Sequence, residues 1–357
     1  MDYRNTLMWK ELNEAPAVLK TLAEKNGATL LKIADAVENG AIYNVYTAAR
    51  GTSDHAMIYF KYLAESILGI PVASGAPGAV TVYGAKLSLK NSLVVACSQS
   101  GKAADVMEIV KRGNDCGAVT VAITNDETSP LAKLAKYHLC CFAEEEKSVA
   151  ATKTFSAQLG LSLLLVSALG GNKNLSLASL AEFLSNGVAQ INQVTDPFAA
   201  DFLSAEECFI LSRGISAALA FECGLKLQET CYIKARAYHS SDFYHGPMAM
   251  VGKGSKIILF ASSRALGGES DGVHRADYIK CAEKMTELGA DLYIVTDDSQ
   301  AFKELNAHIV SVPGGKDERF TAFSFALAAQ MLACKVSCGK GLNPDSPRAL
   351  KKVTITK

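Results

Sequence analysis

The chain has 357 residues, 49% of them hydrophobic and 20% charged, with a formal net charge of zero. This length allows a large core and fits two domains of roughly 150 residues each. Because there is no basic surplus and no polybasic segment, the sequence argues against nucleic acid and against a membrane surface as partners.

The amino-terminal sequence and the cysteines predict a cytoplasmic protein. Residues 1–6 contain no apolar segment of the kind that a signal peptide needs. The most apolar stretch, Leu159–Leu169, is too short to cross a bilayer. The ten cysteines show no CxxC or Cys/His ligand spacing, which predicts buried thiols in a reducing compartment and no metal site.

Amphipathic segments alternate with short apolar runs along the first half of the chain. The predicted helices cover residues 8–25 (kinked or ended at Pro16), 30–37, 103–113 (with Gly113 at the carboxyl end), 156–169 and 175–193. The predicted strands cover residues 42–48, 80–83, 93–97, 118–124 and 137–142. Asp196-Pro197 is the predicted linker to the second half.

One loop stands out between a predicted strand and a predicted helix. It is Ser98-Gln99-Ser100-Gly101, called the Ser98 loop below. Two hydroxyls and backbone N–H groups at the positive end of a helix dipole form an anion site, and phosphate is a common anion of that size. The alternative is a capped loop without a ligand. The glycine spacing matches neither a Walker loop nor a dinucleotide fingerprint, so no nucleotide class is favoured.

The second half repeats the first in the same order at offsets of about 163 to 172 residues, which indicates an internal duplication. The matching pairs are Arg50–Ser53 with Arg213–Ser216, Asn91–Ser98 with Ser255–Ser263, and Gly117–Asp126 with Gly289–Asp297. This alternation predicts an α/β fold with a doubly wound parallel sheet in each half. Residues 262–268 read Ser-Ser-Arg-Ala-Leu-Gly-Gly, so only the first half is expected to keep the anion loop.

Acid–base chemistry is suggested by the second half. Glu222, Lys226 and Glu229 share one face of a predicted helix, and His245 precedes Gly-Pro in a predicted tight turn, before an apolar strand-like run. A glutamate base beside a histidine suits proton transfer next to a carbonyl group. The alternatives are a solvated salt-bridged face and a structural histidine. A lysine held in the Pro-containing segment 343–357 could approach a carbonyl substrate as an amine or as a phosphate contact.

Seven motifs in order resemble the double sugar isomerase (SIS) domain proteins over nearly the whole chain. They are Met8–Pro16, Gly51–Ser53, the Ser98 loop, Val149–Phe155, Leu225–Glu229, His245–Pro247 and Pro347–Leu350 with the lysines that follow. The chain is similar to the isomerase half of glutamine–fructose-6-phosphate amidotransferase and more so to the free-standing glucosamine-6-phosphate deaminases. The resemblance implies two tandem, flavodoxin-like SIS domains.

The resemblance also implies a role for each matching residue. The sugar and phosphate contacts would be Ser53, Ser98, Gln99, Ser100, Lys226 and the backbone around Val149. Glu229 would move a proton between C1 and C2 of the open-chain sugar, and His245, which this family can supply from the neighbouring subunit, would open the ring. Lys352 aligns with the lysine that contacts the sugar or forms an imine with it. Lys351 fits after a one-residue shift.

Five residues depart from the family pattern. Lys102 and Ala103 stand where an acidic residue and a Thr or Ser are common, which removes one phosphate hydroxyl and adds a cation. Ala151 stands where the amidotransferases have serine. Lys234 and Arg236 lie where the amidotransferases have His-Ala-Glu-Ala, and these two basic residues would suit a substrate with an extra carboxylate.

These features predict a cofactor-free enzyme that converts an aminosugar 6-phosphate, such as glucosamine 6-phosphate, to fructose 6-phosphate and ammonia. No cysteine follows Met1 and no room is left for a glutaminase domain, so ammonia transfer from glutamine is not expected. A deglycase that cleaves a fructosamine- or glucosamine-type amino acid 6-phosphate, and a non-catalytic phosphosugar sensor, stay open. The predicted domains are 1–195, 196–342 and a tail, 343–357, that reaches the active site, in a homodimer with sites at the subunit interface.

Overall fold

The computed structural model describes residues 1–172, 175–266 and 272–352, without the side chains of 272–274. The chain forms two compact units. The first unit comprises Glu14–Glu146, Ala151–Ala181 and the residues from Lys351 onward. The second unit comprises Met1–Asn13, Lys147–Ala150 and Glu182–Leu350.

Each unit contains one sheet of five parallel strands. The first sheet is built from β1 (Asn44–Ala48), β2 (Val72–Ser74), β3 (Ser92–Cys97), β4 (Val119–Thr124) and β5 (Tyr137–Cys140), in the order β2-β1-β3-β4-β5. The second is built from β6 (Glu207–Ser212), β7 (Lys234–His239), β8 (Lys256–Ala261), β9 (Asp291–Thr296) and β10 (His308–Ser311), in the order β10-β9-β8-β6-β7. Both orders are the flavodoxin-like one, as an internal duplication predicts.

The helices cover the sheets and connect their strands. They are α1 (Leu7–Asn13), α2 (Ala15–Asn39), α3 (Thr52–Leu63), α4 (Pro77–Thr81), α5 (Ala104–Asp115), α6 (Pro130–Leu134), α7 (Lys153–Leu169), α8 (Ala178–Asp201), α9 (Ala217–Cys231), α10 (Ser240–Phe243), α11 (Gly272–Glu287) and α12 (Glu318–Gly339). Every residue of β3 and of β4 is buried, as expected for central parallel strands covered by helices on both faces. The predicted α/β class with a doubly wound parallel sheet in each half is confirmed.

The sheet topology fixes where a ligand site belongs in the first unit. The chain leaves β1 toward β2 on one side and leaves β3 toward β4 on the other, so the strand order reverses between β1 and β3. In open α/β sheets the crevice at this reversal, outside the carboxyl ends of the strands, is the preferred ligand site. The turn that contains Ser53 follows β1, and the Ser98 loop follows β3.

Several predicted elements of the first half are wrong in detail. Residues 30–37 continue α2 rather than forming a separate helix. Residues 80–83 are not a strand: Pro77 opens α4, and Val82 and Tyr83 beyond it are 70% and 85% exposed, with no strand beside them. Gly113 lies inside α5, where a Cβ would come within 3.1 Å of Val94 and 3.0 Å of Thr120. Its role is therefore close packing of the helix on the sheet.

The predicted linker at Asp196-Pro197 is also wrong, because α8 continues through it to Asp201. The proline ring disrupts the backbone hydrogen bonds of the preceding turn. The ammonium of Lys335 binds the neighbouring Asn192 carbonyl and lies 2.8 Å from Thr195 Oγ1 and 2.7 Å from the Asp196 carboxylate, so it anchors this turn of the helix. Burial of Phe198 and Phe202 then holds the last turn of the helix.

Three of the four edge strands, β2, β7 and β10, escaped the sequence pattern. β2 and β10 have three and four residues, and β7 carries the exposed residues Lys234 and Arg236 in place of an apolar run. The expected strand-like run after His245 is a short 3-10 helix, Pro247–Met250. Part of the 262–268 segment and residues 353–357 of the predicted tail lie outside the described residues.

One long apolar helix meets the length and composition of a membrane span. It is α12, and 94% of its most apolar window is buried inside the protein. A buried core helix passes the same test, so α12 is weak evidence for a membrane span. Of the ten cysteines, all of which are free thiols, nine are buried and Cys116 is partly buried.

Candidate active site

The Ser98 loop connects β3 to α5 and leaves two backbone donors open. The Gly101 N–H donates to the Ser98 carbonyl (3.1 Å), and the Gln99 carbonyl accepts the N–H of Asn125 (2.9 Å). Within the described ranges, no hydrogen bond occupies the N–H groups of Gln99 and Ser100. Together with the two serine hydroxyls, these N–H groups can bind an oxyanion.

The loop depends on a glycine at position 101. Gly101 has φ +61, in the left-handed region. A Cβ there would lie 2.2 Å from Ser129 Oγ and 2.5 Å from Ser129 Cβ. Both the backbone angle and the lack of space therefore require glycine.

An ion pair joins the two loops at the strand-order reversal. Arg50, directly after β1 and its flanking alanine, places Nη2 2.7 Å from Asp105 Oδ2 in the first turn of α5. Asp105 is buried, so this contact ties the Ser53 turn to the helix after the Ser98 loop. Ala103 is the N-cap of α5 and offers no side-chain hydrogen bond.

Ser53 is held by a residue that the sequence did not reveal. Ser53 is buried in the first turn of α3, and Gln158 Nε2 in α7 donates to its Oγ (3.0 Å). Gln158 is itself buried, and its Oε1 has no hydrogen-bond partner in the part of the chain that the structure describes. The only sequence signal is that a polar side chain interrupts the apolar helix 153–169. Gln158 thus fixes the direction of the Ser53 hydroxyl.

Gln158→Leu is expected to weaken phosphate binding about three- to tenfold, because the Ser53 hydroxyl loses its fixed direction. The free energy of unfolding should change little, since a side chain with an unpaired buried oxygen becomes apolar at similar volume. A double-mutant cycle with Ser53→Ala checks the cause. If Gln158→Leu weakens phosphate binding equally in the Ser53→Ala background, Gln158 does not act through Ser53.

A cavity of about 650 Å³ lies beside the Ser98 loop in the first unit. Gln99, Ser100 and Lys102 line it together with Lys352. The structure thus brings three of the predicted site residues, Gln99, Ser100 and Lys352, to one cavity. Lys351 is exposed and does not line it.

Lys352 is fixed by a buried carboxylate, Glu146, which the sequence analysis missed. Lys352 Nζ lies 2.8 Å from Glu146 Oε2. Glu146 also accepts the N–H groups of Thr152 (2.9 Å) and Thr154 (3.1 Å) at the start of α7. The carboxylate therefore sits at the positive end of a helix, which stabilises its charge.

The pKa of Glu146 reflects these contacts. Burial alone would raise it, but the Lys352 ammonium and the hydrogen bonds from Thr152 and Thr154 bring the pKa below its ordinary value. A lowered carboxylate pKa stabilises the folded protein above the pKa of the unfolded chain, and this contribution is lost as the pH falls through the folded-state pKa. The attachment of Lys352 is thus retained at neutral pH.

Val149 belongs to the second unit, in the segment 147–150. Its N–H donates to the Asp345 carbonyl (3.1 Å), so this backbone donor is already engaged. The Glu11 carboxylate accepts the N–H groups of Lys147 (2.5 Å) and Ser148 (3.1 Å). These contacts fix the backbone path of the segment.

Glu229 lies on α9 of the second unit and is paired with Lys226. Lys226 Nζ is 2.6 Å from Glu229 Oε2 and 3.5 Å from Glu222 Oε1. Lys226 and Glu222 are fully buried, whereas the Glu229 side chain is 24% exposed. Lys226 therefore holds the Glu229 carboxylate from inside, and only Glu229 of the three reaches the surface.

His245 occupies the predicted turn in the second unit. Its N–H donates to the Asp242 carbonyl (3.0 Å), and Pro247 then opens a 3-10 helix. The His245 side chain is exposed. It can therefore contact a ligand or another protein molecule.

The second unit differs from the first at the matching turn. Ser216, the counterpart of Ser53 in the repeat, donates its N–H (3.0 Å) and its hydroxyl (2.8 Å) to Glu318 Oε1 at the start of α12. The Glu318 carboxylate thus accepts both Ser216 donors, which are then not open to a ligand. Burial raises the pKa of Glu318 to about 7, although the hydrogen bonds from Ser216 act in the opposite direction.

Glu318→Gln is expected to change the pH dependence of stability. Because the folded-state pKa lies above the ordinary value of 4.5, the contribution of Glu318 to the free energy of unfolding is complete below pH 4.5 and is lost as the pH rises through about 7. The difference between wild type and variant should therefore shift by about 3 kcal/mol between pH 4.5 and pH 8. Urea unfolding at several pH values measures it, with exposed Glu304→Gln as the control. A pH-independent difference would contradict the raised pKa.

The described residues include no group of three or more His, Cys, Asp or Glu side chains that could hold a metal ion. The candidate site is a loop with open backbone donors at the strand-order reversal of a flavodoxin-like sheet, with a lysine in the adjoining cavity. This geometry is typical of α/β proteins that bind phosphorylated small molecules.

Comparison with known proteins identifies the family. Residues 42–168 and 201–338 match the SIS domain, so the chain belongs to the SIS domain family. It is 29% identical to glutamine–fructose-6-phosphate aminotransferase (isomerizing) from Sulfurisphaera tokodaii over 98% of this chain and 56% of the relative. The chain therefore spans just over half the length of that curated relative.

Solved structures support the same assignment. A proposed phosphosugar isomerase from Silicibacter pomeroyi is 29% identical, with a TM-score of 0.82 over 95% of this chain and 100% of that one. A glucosamine-6-phosphate deaminase from Thermotoga maritima shares the fold, at 21% identity, with a TM-score of 0.77 over 98% of this chain and 100% of that one. The chain is thus a double-SIS protein related to phosphosugar isomerases.

Proposed function

We propose that this protein is an aldose–ketose isomerase-type deaminase that converts an aminosugar 6-phosphate, such as glucosamine 6-phosphate, to fructose 6-phosphate and ammonia. The observation that carries the proposal is the cavity lined by Gln99, Ser100 and Lys352. The open N–H groups of Gln99 and Ser100 can bind phosphate oxygens. The ammonium of Lys352 can donate hydrogen bonds to the oxygens of an open-chain sugar. The relationship to phosphosugar isomerases supports the same substrate class.

The reaction needs one base and one water molecule. Glu229 takes the proton from C2 of the open-chain aldose and returns it to C1, which leaves a C2 imine and a C1 hydroxymethyl group. Water adds to C2 and ammonia leaves, giving the ketose 6-phosphate. Lys226 holds one carboxylate oxygen of Glu229 at 2.6 Å, so the base has a fixed direction.

His245 and Lys352 have supporting roles in this proposal. The exposed His245 donates or accepts the proton that opens the sugar ring, in a homodimer that brings it to the site of the neighbouring subunit. The ammonium of Lys352, held by Glu146, donates to sugar oxygens. Imine formation would require Lys352 to lose its proton and its pairing with Glu146.

A deglycase that cleaves an amino acid adduct is the second candidate, and the position of the basic residues bears on it. Lys102 lines the Ser100 cavity, but five carboxylates line it against three lysines, so its charge does not favour an extra carboxylate in the substrate. Lys234 and Arg236 line a different pocket that includes neither Glu229 nor Lys226. They therefore give little support to a substrate carboxylate near the base, and we favour the deaminase.

A substrate panel tests the proposal. Ammonia and ketose 6-phosphate are measured with glucosamine 6-phosphate, galactosamine 6-phosphate, and fructosyl- and glucosyl-amino acid 6-phosphates. Ammonia from a simple aminosugar phosphate is the expected result. Free amino acid from an adduct, without ammonia from the simple sugars, would make the protein a deglycase. Phosphosugar binding without turnover of any member would instead indicate a sensor.

A further inference from the structure

A cationic pocket of about 520 Å³ lies in the second unit where α9 ends and β7 begins. Lys234, Arg236 and Arg348 contribute three positive charges to its lining, and no acidic residue among those described lines it. None of the three has an ion pair with any residue that the structure describes. In a chain with zero net charge, this is a local concentration of unneutralised cations. We call it the Arg348 pocket.

Tyr232 holds Arg348 in the pocket. Tyr232 ends α9 with φ +57, a left-handed backbone that a tyrosine adopts at a cost in energy. The phenol oxygen of Tyr232 accepts the backbone N–H of Arg348 (2.8 Å). The guanidinium carbon of Arg348 lies 4.2 Å from the centroid of the Tyr232 ring. Stacking uses the face of the guanidinium and leaves the N–H donors at its edge for a ligand.

Protection of an exposed strand edge explains only part of this arrangement. β7 is the outer strand of its sheet, and basic side chains such as Lys234 and Arg236 discourage pairing with another chain. Arg348 comes from a different segment and is brought in by Tyr232, which edge protection does not require. Two carbonyls near the end of α9 are engaged inside the protein: Leu227 O accepts the N–H groups of Tyr232 and Ile233, and Thr230 O accepts the Ser337 hydroxyl.

We propose that the Arg348 pocket binds the phosphate monoester of a small molecule, at a site separate from the Ser98 loop. A dianionic phosphate matches three cations better than a single carboxylate does, and arginine forks bind phosphate oxygens in pairs. The volume fits a small metabolite, and buried Ile233 and Ala235 offer an apolar floor for its carbon skeleton. Glu229 does not line the pocket, so a bound ligand there is not the one that reacts.

Calorimetric titration of the full chain with inorganic phosphate tests the proposal. The measurements use a Ser98→Ala/Ser100→Ala background, so that the outcome is independent of the first-unit loop and of the proposed reaction. Phosphate should still bind in this background. Adding Lys234→Gln/Arg236→Gln should weaken binding about tenfold or more, because two charge-assisted contacts are lost. Lys253→Gln/Lys280→Gln, which removes two exposed cations elsewhere in the second unit, should leave it unchanged.

Two further arms make the test decisive. Lys234→Arg keeps the charge and should keep phosphate binding, which separates lost charge from lost folding if the double variant unfolds. Acetate should bind more weakly than phosphate. Equal phosphate affinity in the Lys234→Gln/Arg236→Gln and Lys253→Gln/Lys280→Gln proteins would overturn the site, and tighter binding of acetate would overturn the phosphate class.

Discussion

Glu229→Gln is expected to lower kcat for the proposed reaction by about 10²- to 10⁴-fold while the affinity for the sugar phosphate stays within a few-fold. Glutamine has nearly the same size and can still approach Lys226, but its amide cannot take a proton from carbon. Phosphate affinity should persist because Gln99, Ser100 and Lys352 line the candidate cavity and Glu229 does not. Ammonia release measures kcat, and calorimetry with the sugar phosphate measures affinity.

A matched control variant shows whether the loss of kcat comes from the missing base or simply from removing one negative charge from the second unit. Glu287→Gln removes an exposed glutamate of the second unit that pairs with Lys284 at the surface, and its kcat should equal that of the wild type. Unchanged kcat in Glu229→Gln would remove Glu229 as the base. Loss of binding along with turnover would show a structural role, since Lys226 would then be poorly paired in the interior.

The strand, loop and helix around Ser98 could be predicted because their signals are local. A run of apolar β-branched residues, a serine and glycine turn and an amphipathic repeat follow one another within about two dozen residues. The duplication then predicted a second doubly wound parallel sheet, which the structure has. Gly113 shows the limit of this reasoning, because a glycine near a helix end can serve packing against Val94 rather than termination.

The contacts that hold the site residues in place could not be predicted. Gln158 and Ser53 are 105 residues apart in the sequence, and Glu146 and Lys352 are 206 apart. The hydrophobic periodicity of the sequence does not predict such pairs, because each partner is simply an isolated polar residue in its own segment. Buried polar side chains need partners, however, so a polar residue inside an apolar helix is itself a signal that a contact exists. What the sequence leaves open is the identity of the partner.

Gly101→Ala is expected to lower the free energy of unfolding by about 3 kcal/mol or more and to abolish phosphate binding by the Ser98 loop. Two costs add: alanine disfavours φ +61, and its Cβ would overlap Ser129, 2.2 Å from Oγ. Relief of that overlap must move the backbone that presents the Gln99 and Ser100 N–H groups. Urea unfolding and phosphate titration measure the two effects.

Gly84→Ala isolates the first of these costs. Gly84 has φ +64, in the same unit, with nothing within 4 Å of the position a Cβ would take. This variant should lose only about 1 to 2 kcal/mol and keep phosphate binding, because the backbone angle alone is penalised. Adding Ser129→Gly to Gly101→Ala removes both overlapping atoms and should recover part of the stability. Equal losses for Gly84→Ala and Gly101→Ala would mean that the loop has room for a side chain, and that Ser129 does not fix the loop that presents the Gln99 and Ser100 donors.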